Sequence, residues 1–67
     1  MNRFRERLNE TLKYSGISQI ELARKIGMSQ SVVNNYCTGK REPTLDVLVE
    51  ICKALEVSAD ELLGLKD

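Results

Sequence analysis

The chain has 67 residues, of which 42% are apolar and 30% charged, and its formal net charge is zero. A chain this short buries only about 60% of the surface of its unfolded form, so we expect one compact core and a single domain over residues 1–67. It has no apolar run near the ~20 residues that span a membrane, and its N-terminus, MNRFRERLNE, lacks the apolar part of a secretory signal, so we expect a cytoplasmic protein.

The first predicted helix covers residues 3–14. Phe4, Leu8 and Leu12 recur every four residues, which places them on one helical face as a core stripe. Gly16 follows, at a position where helices commonly end in a left-handed residue.

Residues 19–36, QIELARKIGMSQSVVNNY, predict two short helices joined by a tight turn. Ser18 can cap the first of these two helices, and Glu21 three residues later can complete a capping box. Gly27 is suited to the left-handed exit from this second helix of the chain.

The third predicted helix begins after Ser29 as its N-cap and ends near Thr38. A solvated helix normally carries Lys and Glu on its exposed side. The first two turns of this helix instead carry uncharged amides and hydroxyls, at Gln30, Ser31, Asn34 and Asn35. An amide can donate and accept hydrogen bonds at once, as reading a base edge in the major groove of DNA requires.

A polar segment containing Pro43 separates the third helix from the fourth. We expect Thr44 to cap the fourth helix, with a buried stripe of Leu45, Leu48, Ile51, Cys52 and Leu55. Ser58 begins the fifth helix, Glu61 can complete its capping box, and Gly64 ends it before a tail of Leu65, Lys66 and Asp67. The hydrophobic pattern is helical throughout, so the sequence predicts an all-α fold.

The zero net charge conceals a strong polarity along the chain. Residues 1–41 hold eight basic against three acidic groups, a balance of +5. Residues 42–67 hold two basic against seven acidic groups, a balance of −5. The positive half contains the amide-bearing helix, which is the distribution expected of a polyanion-binding surface.

Residues 19–36 resemble the helix-turn-helix of the phage-repressor and Cro type, the XRE family. Counted from Gln19, that motif has a small fifth residue, a glycine ninth and a branched apolar residue fifteenth, with apolar residues fourth, eighth, tenth and eighteenth. These positions hold Leu22, Ala23, Ile26, Gly27, Met28, Val33 and Tyr36. The resemblance continues through GKREPTLDVLVEICKALEVSADELL and implies a compact five-helix, lambda-repressor-like fold with the motif at helices two and three.

The resemblance places the third helix in the major groove, with Gln30, Ser31 and Asn35 contacting bases. Asn34 is a flanking candidate. Val32 can contact a thymine methyl or pack beside Tyr36, and the sequence does not choose between these roles. Since this face carries no Arg, the common bidentate contact to guanine is missing, and we predict that the directly read positions lean to A·T pairs.

Four residues are candidates for contacts to DNA phosphates. In the resembling family the residue at Gln19 clamps a phosphate, at a helix N-terminus that favours anions. Gly39, Lys40 and Arg41 follow the reading helix, where main-chain N–H groups and two cations would meet the backbone. If about six phosphates are neutralised per dimer, the logarithm of the binding constant should fall with log salt at a slope near −5.

One position departs from the family pattern. Relatives often carry Glu where this chain has Cys37, paired in some members with an Arg where it has Leu12. We interpret this as a buried ion pair replaced by an apolar packing contact, an exchange that is often neutral or stabilising.

The resemblance implies a homodimer, weak off DNA, that sets two reading helices about 34 Å apart on a near-palindromic site. Candidate dimer-surface residues in the C-terminal part are Val49, Val57, Leu62 and Leu65. The alternative is that all four are buried within the monomer.

The function implied is sequence-specific regulation of transcription through double-stranded DNA, most typically as a repressor. A restriction-modification controller and an antitoxin belong to the same class. The competing interpretation is a protein-interaction module that kept the fold and lost DNA reading. We expect no enzyme, cofactor, metal or small-molecule ligand, because the chain has no His, no Gly-rich phosphate loop and no base partner for its thiols, Cys37 and Cys52.

Overall fold

The computed structural model describes residues 2–65, so Met1 and the predicted tail residues Lys66 and Asp67 lie outside the described part. It contains five helices: α1 (Phe4–Ser15), α2 (Gln19–Ile26), α3 (Gln30–Thr38), α4 (Leu45–Leu55) and α5 (Ala59–Leu63). All regular secondary structure within residues 2–65 is helical, which confirms the predicted all-α fold. None of these helices has the length and apolar character needed to cross a membrane.

Side-chain caps begin four of the helices at the predicted residues. The Ser18 hydroxyl accepts the N–H of Glu21 at 3.1 Å, and the Glu21 carboxylate accepts the N–H of Ser18 at 3.1 Å, which completes a capping box. The hydrogen bond from the Ser18 N–H to the Glu21 carboxylate is the main reason that the pKa of Glu21 is lowered, because it favours the charged form. The hydroxyls of Ser29, Thr44 and Ser58 accept the corresponding N–H groups at 3.4, 3.3 and 3.2 Å.

The core is assembled from all five helices. Its completely buried side chains are Leu8, Leu22, Val33, Ile51 and Leu62. Phe4 meets Tyr36 edge to face with ring centroids 6.4 Å apart, a favoured aromatic geometry that joins α1 to α3. Leu12 and Cys37, the two positions of the inferred ion-pair exchange, are both buried in this core.

α3 packs against α1 and α2. α2 packs against α3 and α4, and α1 packs against α3, α4 and α5. The Arg3 N–H donates to the Leu63 carbonyl at 3.2 Å, which brings the start of α1 to the end of α5. Because α1 and α2 hold the inner side of α3, its outer side is left for solvent or a ligand.

The predicted stripe of α4 is wrong at Leu45, whose side chain is 80% exposed. Leu45 is the first residue of α4, and it borders a depression of about 240 Å³ lined by Phe4, Pro43 and Leu48 among others. Leu48, Ile51 and Leu55 are buried as predicted, and Cys52 is half-buried. The first turn of α4 therefore projects past the helices that cover the rest of the stripe.

The end of α4 carries the only non-glycine residue with positive φ among residues 2–65. Glu56 has φ 55° and ψ 44°, a left-handed conformation that disfavours a side chain by about 1–2 kcal/mol. The sequence pattern gave no indication of this residue as a helix end.

Candidate nucleic-acid interface

The outer side of α3 is open as predicted. Val33, Tyr36 and Cys37 are buried, whereas Gln30, Ser31 and Asn34 are exposed. Both faces follow from the helical period, since residues three and four apart share a side.

Asn35 and Val32 are half-buried at the edges of this outer side. Val32 packs against the core, which is one of the two roles left open by the sequence. The Ser31 hydroxyl lies 3.2 Å from that of Ser29 and shares a hydrogen bond with the cap of its own helix. Gln30, Asn34 and part of Asn35 therefore supply the most accessible amide groups.

Gln19 is tied to α3, which sequence analysis did not anticipate. The Asn34 side-chain amide donates to the Gln19 side-chain oxygen at 3.2 Å. Burial raises the pKa of the Cys37 thiol, and the Gln19 side chain partly opposes that shift. Gln19, the predicted phosphate ligand, is thus half-buried, and its side-chain oxygen holds the amide of Asn34, a predicted base-contacting residue.

The loop after α3 is held by its own backbone. Gly39 ends the helix with φ 82°, a conformation that favours glycine. Its N–H donates to the Tyr36 carbonyl at 3.4 Å, and the Arg41 N–H donates to the Asn35 carbonyl at 3.3 Å. These two main-chain donors are therefore occupied, which corrects the expectation that they face phosphates.

The cations of this loop remain accessible. The side chains of Lys40 and Arg41 are exposed and form no ion pair with any residue in the described range 2–65. They lie at the end of the helix that presents the amides, so polar recognition groups and positive charge occupy one region.

Asn9 is a further residue that sequence analysis missed. From α1, its amide donates to the Cys37 carbonyl at 2.8 Å and to the Arg5 carbonyl at 2.9 Å. It satisfies a carbonyl near the C-terminal end of α3, where no intrahelical donor remains. No sequence signal identifies it, because the bond depends on how α1 crosses α3.

The predicted dimer surface is only partly exposed. Val49 and Leu65 are 49% and 70% exposed, whereas Val57 is half-buried against the core. Leu62 is completely buried, so its prediction as a surface residue is wrong. It belongs to the short helix α5, which packs against α1 and α4.

Comparison with known proteins agrees with this geometry. The cryptic phage CTXphi transcriptional repressor RstR of Vibrio cholerae is 39% identical over 62 residues, which are 92% of this chain and 55% of that protein. A transcriptional regulator for conjugative element R391 from Providencia rettgeri is 39% identical over 59 residues, covering 88% of this chain and 27% of the regulator. The chain therefore spans about half of the first relative and about a quarter of the second.

A solved structure shows the same fold over most of its length. The restriction-modification controller protein C.AhdI from Aeromonas hydrophila superposes with a TM-score of 0.84 and 32% identity, covering 90% of this chain and 91% of that one. A helix-turn-helix family model matches residues 8–62. The chain belongs to the XRE-type helix-turn-helix family.

Proposed function

We propose that this protein is a sequence-specific DNA-binding regulator of transcription, which acts as a repressor by occupying a promoter. The observation that carries the proposal is the uncharged, exposed amide side of α3 beside Lys40 and Arg41, two cations that form no ion pair within residues 2–65. Relatives described as a phage transcriptional repressor and as a controller protein support the same function.

The reading element is short and the molecule is small. α3 has nine residues, which is about 14 Å of helix and spans only a few base pairs. The longest dimension of the chain is 29 Å, less than the ~34 Å that separates successive major grooves on one side of DNA. A homodimer on a near-palindromic site would place one α3 in each of two successive grooves.

Specificity would come from the amides and affinity from the cations. Gln30 and Asn35 can each form a bidentate contact to adenine, worth about 1–3 kcal/mol of discrimination. Asn34 donates a hydrogen bond to Gln19, which would hold its amide at the edge of the same groove. Lys40 and Arg41 would replace counterions on phosphates without distinguishing sequence.

The second candidate function is a protein-interaction module that has the fold without DNA reading. It is favoured by the zero net charge and by the lack of Arg on α3. Its partner would contact the same amides, but the affinity would not follow counterion release from a polyanion.

Selection of binding sites from random duplex DNA tests the proposal and discriminates the two functions. We expect two half-sites about 10 base pairs apart, A·T pairs at most contacted positions, and a log–log salt slope near −5. Failure to enrich any site, together with a flat salt response, would contradict the proposal and favour the interaction module. Sites whose contacted positions are mostly guanine would contradict the assigned readers.

A further inference from the structure

Arg5 of α1 extends across to the loop that follows α3. A Cβ at Gly39 would lie 2.8 Å from the Cδ atom and 3.4 Å from the Nε atom of Arg5. The Arg5 stem therefore lies against the Gly39 backbone, and its guanidinium begins beside the loop that holds Lys40 and Arg41.

This placement is held by the register of α1 on α3. Asn9, one turn after Arg5, bonds both the Arg5 carbonyl and the Cys37 carbonyl. The same flank of α1 is thereby anchored to the C-terminal end of α3. Arg5 comes to the loop as part of a fixed helix rather than as a residue of a mobile arm.

The acidic groups nearest in sequence are engaged elsewhere. Glu6 hydrogen-bonds Arg3, which is the main reason that its pKa is lowered. Glu42, next to Arg41, accepts a hydrogen bond from the Asn2 amide at 3.2 Å. Arg5 is exposed, and its guanidinium forms no hydrogen bond or ion pair with the residues of the described range.

Two separate elements thus bring three cations, Arg5, Lys40 and Arg41, to one end of α3, and none of their side chains forms an ion pair with another of residues 2–65. Like charges gathered in this way repel, and a polyanion that binds there relieves the repulsion. A planar guanidinium is well suited to a phosphate, because it can donate two parallel hydrogen bonds.

We propose that Arg5 is a further phosphate ligand of the DNA interface, contacting the same stretch of sugar-phosphate backbone as Lys40 and Arg41. This inference rests on the proposed DNA-binding function and adds α1 to the binding surface. A competing role is purely structural, in which Arg5 neutralises the negative end of the α3 dipole.

Binding and stability measurements on Arg5→Gln and Lys53→Gln distinguish these roles. Both variants remove one positive charge, but Lys53 lies on α4 and pairs with Glu50. Dissociation constants are measured over a range of salt on a duplex carrying the selected site and on a random-sequence duplex. Melting temperatures are recorded in parallel.

We expect Arg5→Gln to reduce the magnitude of the salt slope by about 2 per dimer on both duplexes and to weaken binding roughly tenfold per protomer near 0.1 M salt. Arg5→Lys should recover most of the slope, and Lys53→Gln should resemble the parent.

If the parent binds with a steep salt slope and Arg5→Gln keeps that slope, the phosphate role is overturned while the proposed function stands. A lower melting temperature with unchanged binding would assign Arg5 to the dipole instead. If the parent itself shows no salt-dependent binding, both proposals fail.

Discussion

The helices α3 and α4 have similar lengths but differ in what they expose. The exposed side of α3 carries amides and hydroxyls and no charged group, whereas α4 exposes Asp46, Glu50 and Lys53. The first turn of α3 contains no acidic residue, although each of the other four helices has one there. A carboxylate at that end would stabilise the helix and repel phosphate, so we propose that its absence reflects DNA binding rather than folding.

The two helices also differ at their ends. α3 ends at Gly39, which adopts φ 82° without a side-chain penalty, whereas α4 ends at Glu56 with φ 55°. α3 thus ends at an unstrained glycine and has no acidic residue in its first turn. α4 has Asp46 in its first turn and ends at a strained, left-handed Glu56. If the features of α3 serve DNA binding, changing them should alter affinity, whereas relieving the backbone strain at the end of α4 should alter only stability.

The largest effect is expected on the inner side of α3. Cys37→Glu places a carboxylate in the core that also contains Leu12, and an unpaired buried charge should lower the free energy of unfolding by about 3–5 kcal/mol. Urea denaturation measures the loss, and Cys37→Ala serves as the uncharged control with a smaller loss.

The double variant Leu12→Arg with Cys37→Glu should recover much of that stability, because the carboxylate then has a partner. A melting temperature of Cys37→Glu equal to that of the parent would show that the ion-pair exchange was misinterpreted.

The next effect is expected on the outer side of α3. Gln30→Ala combined with Asn35→Ala should lose about 1–3 kcal/mol of discrimination for each contact removed and leave the melting temperature nearly unchanged. Competition binding between the selected and random duplexes measures the discrimination. Glu50→Ala on α4 is the control, and equal effects of the two variants would remove the functional distinction between the helices.

A smaller effect of opposite sign is expected at the end of α4. Glu56→Gly relieves the left-handed side-chain strain and should raise the free energy of unfolding by roughly 1 kcal/mol, less the entropy that glycine adds to the unfolded chain. Thermal denaturation checks the gain, and DNA affinity should not change. A destabilised variant would indicate that the Glu56 side chain contributes a contact beyond the cap.

The smallest effect on stability is expected from Gln30→Glu at the start of α3. This change of nearly equal size adds the missing acid to the first turn and should stabilise the helix by about 0.3–1 kcal/mol. It should weaken DNA binding on every sequence, because the new charge faces the groove and its phosphates. If Gln30→Glu raises both stability and DNA affinity, repulsion of phosphate is not the reason that α3 lacks an acidic residue in its first turn.

Local signals predicted most of the fold. Caps at Ser18, Ser29, Thr44 and Ser58 fall where expected, since a hydroxyl and the N–H three residues later lie within one turn of chain. The helix end at Glu56 was not anticipated, because glutamate is not a residue type that favours the left-handed conformation it adopts there. The helical period also separated the two sides of α3 correctly.

The apolar pattern misjudged Leu45 and left the burial of Leu62 open. Leu45 and Leu62 both lie on apolar stripes, yet one is 80% exposed and the other is fully buried. An apolar stripe indicates which side of a helix can be buried. The positions of the neighbouring helices decide how many residues along that side are actually buried. The surface available to a second copy therefore could not be derived from the pattern.

The sequence by itself determined the helix starts, the glycine ends, the polar side of α3 and the charge polarity, because each depends on residues within a few positions of one another. Only the tertiary structure decided that Asn34 meets Gln19 and that Asn9 meets Cys37, pairs separated by 15 and 28 positions. It likewise placed Arg5 on Gly39. Such contacts depend on the angle and register at which helices cross, which the packing of the whole core sets and no short segment contains.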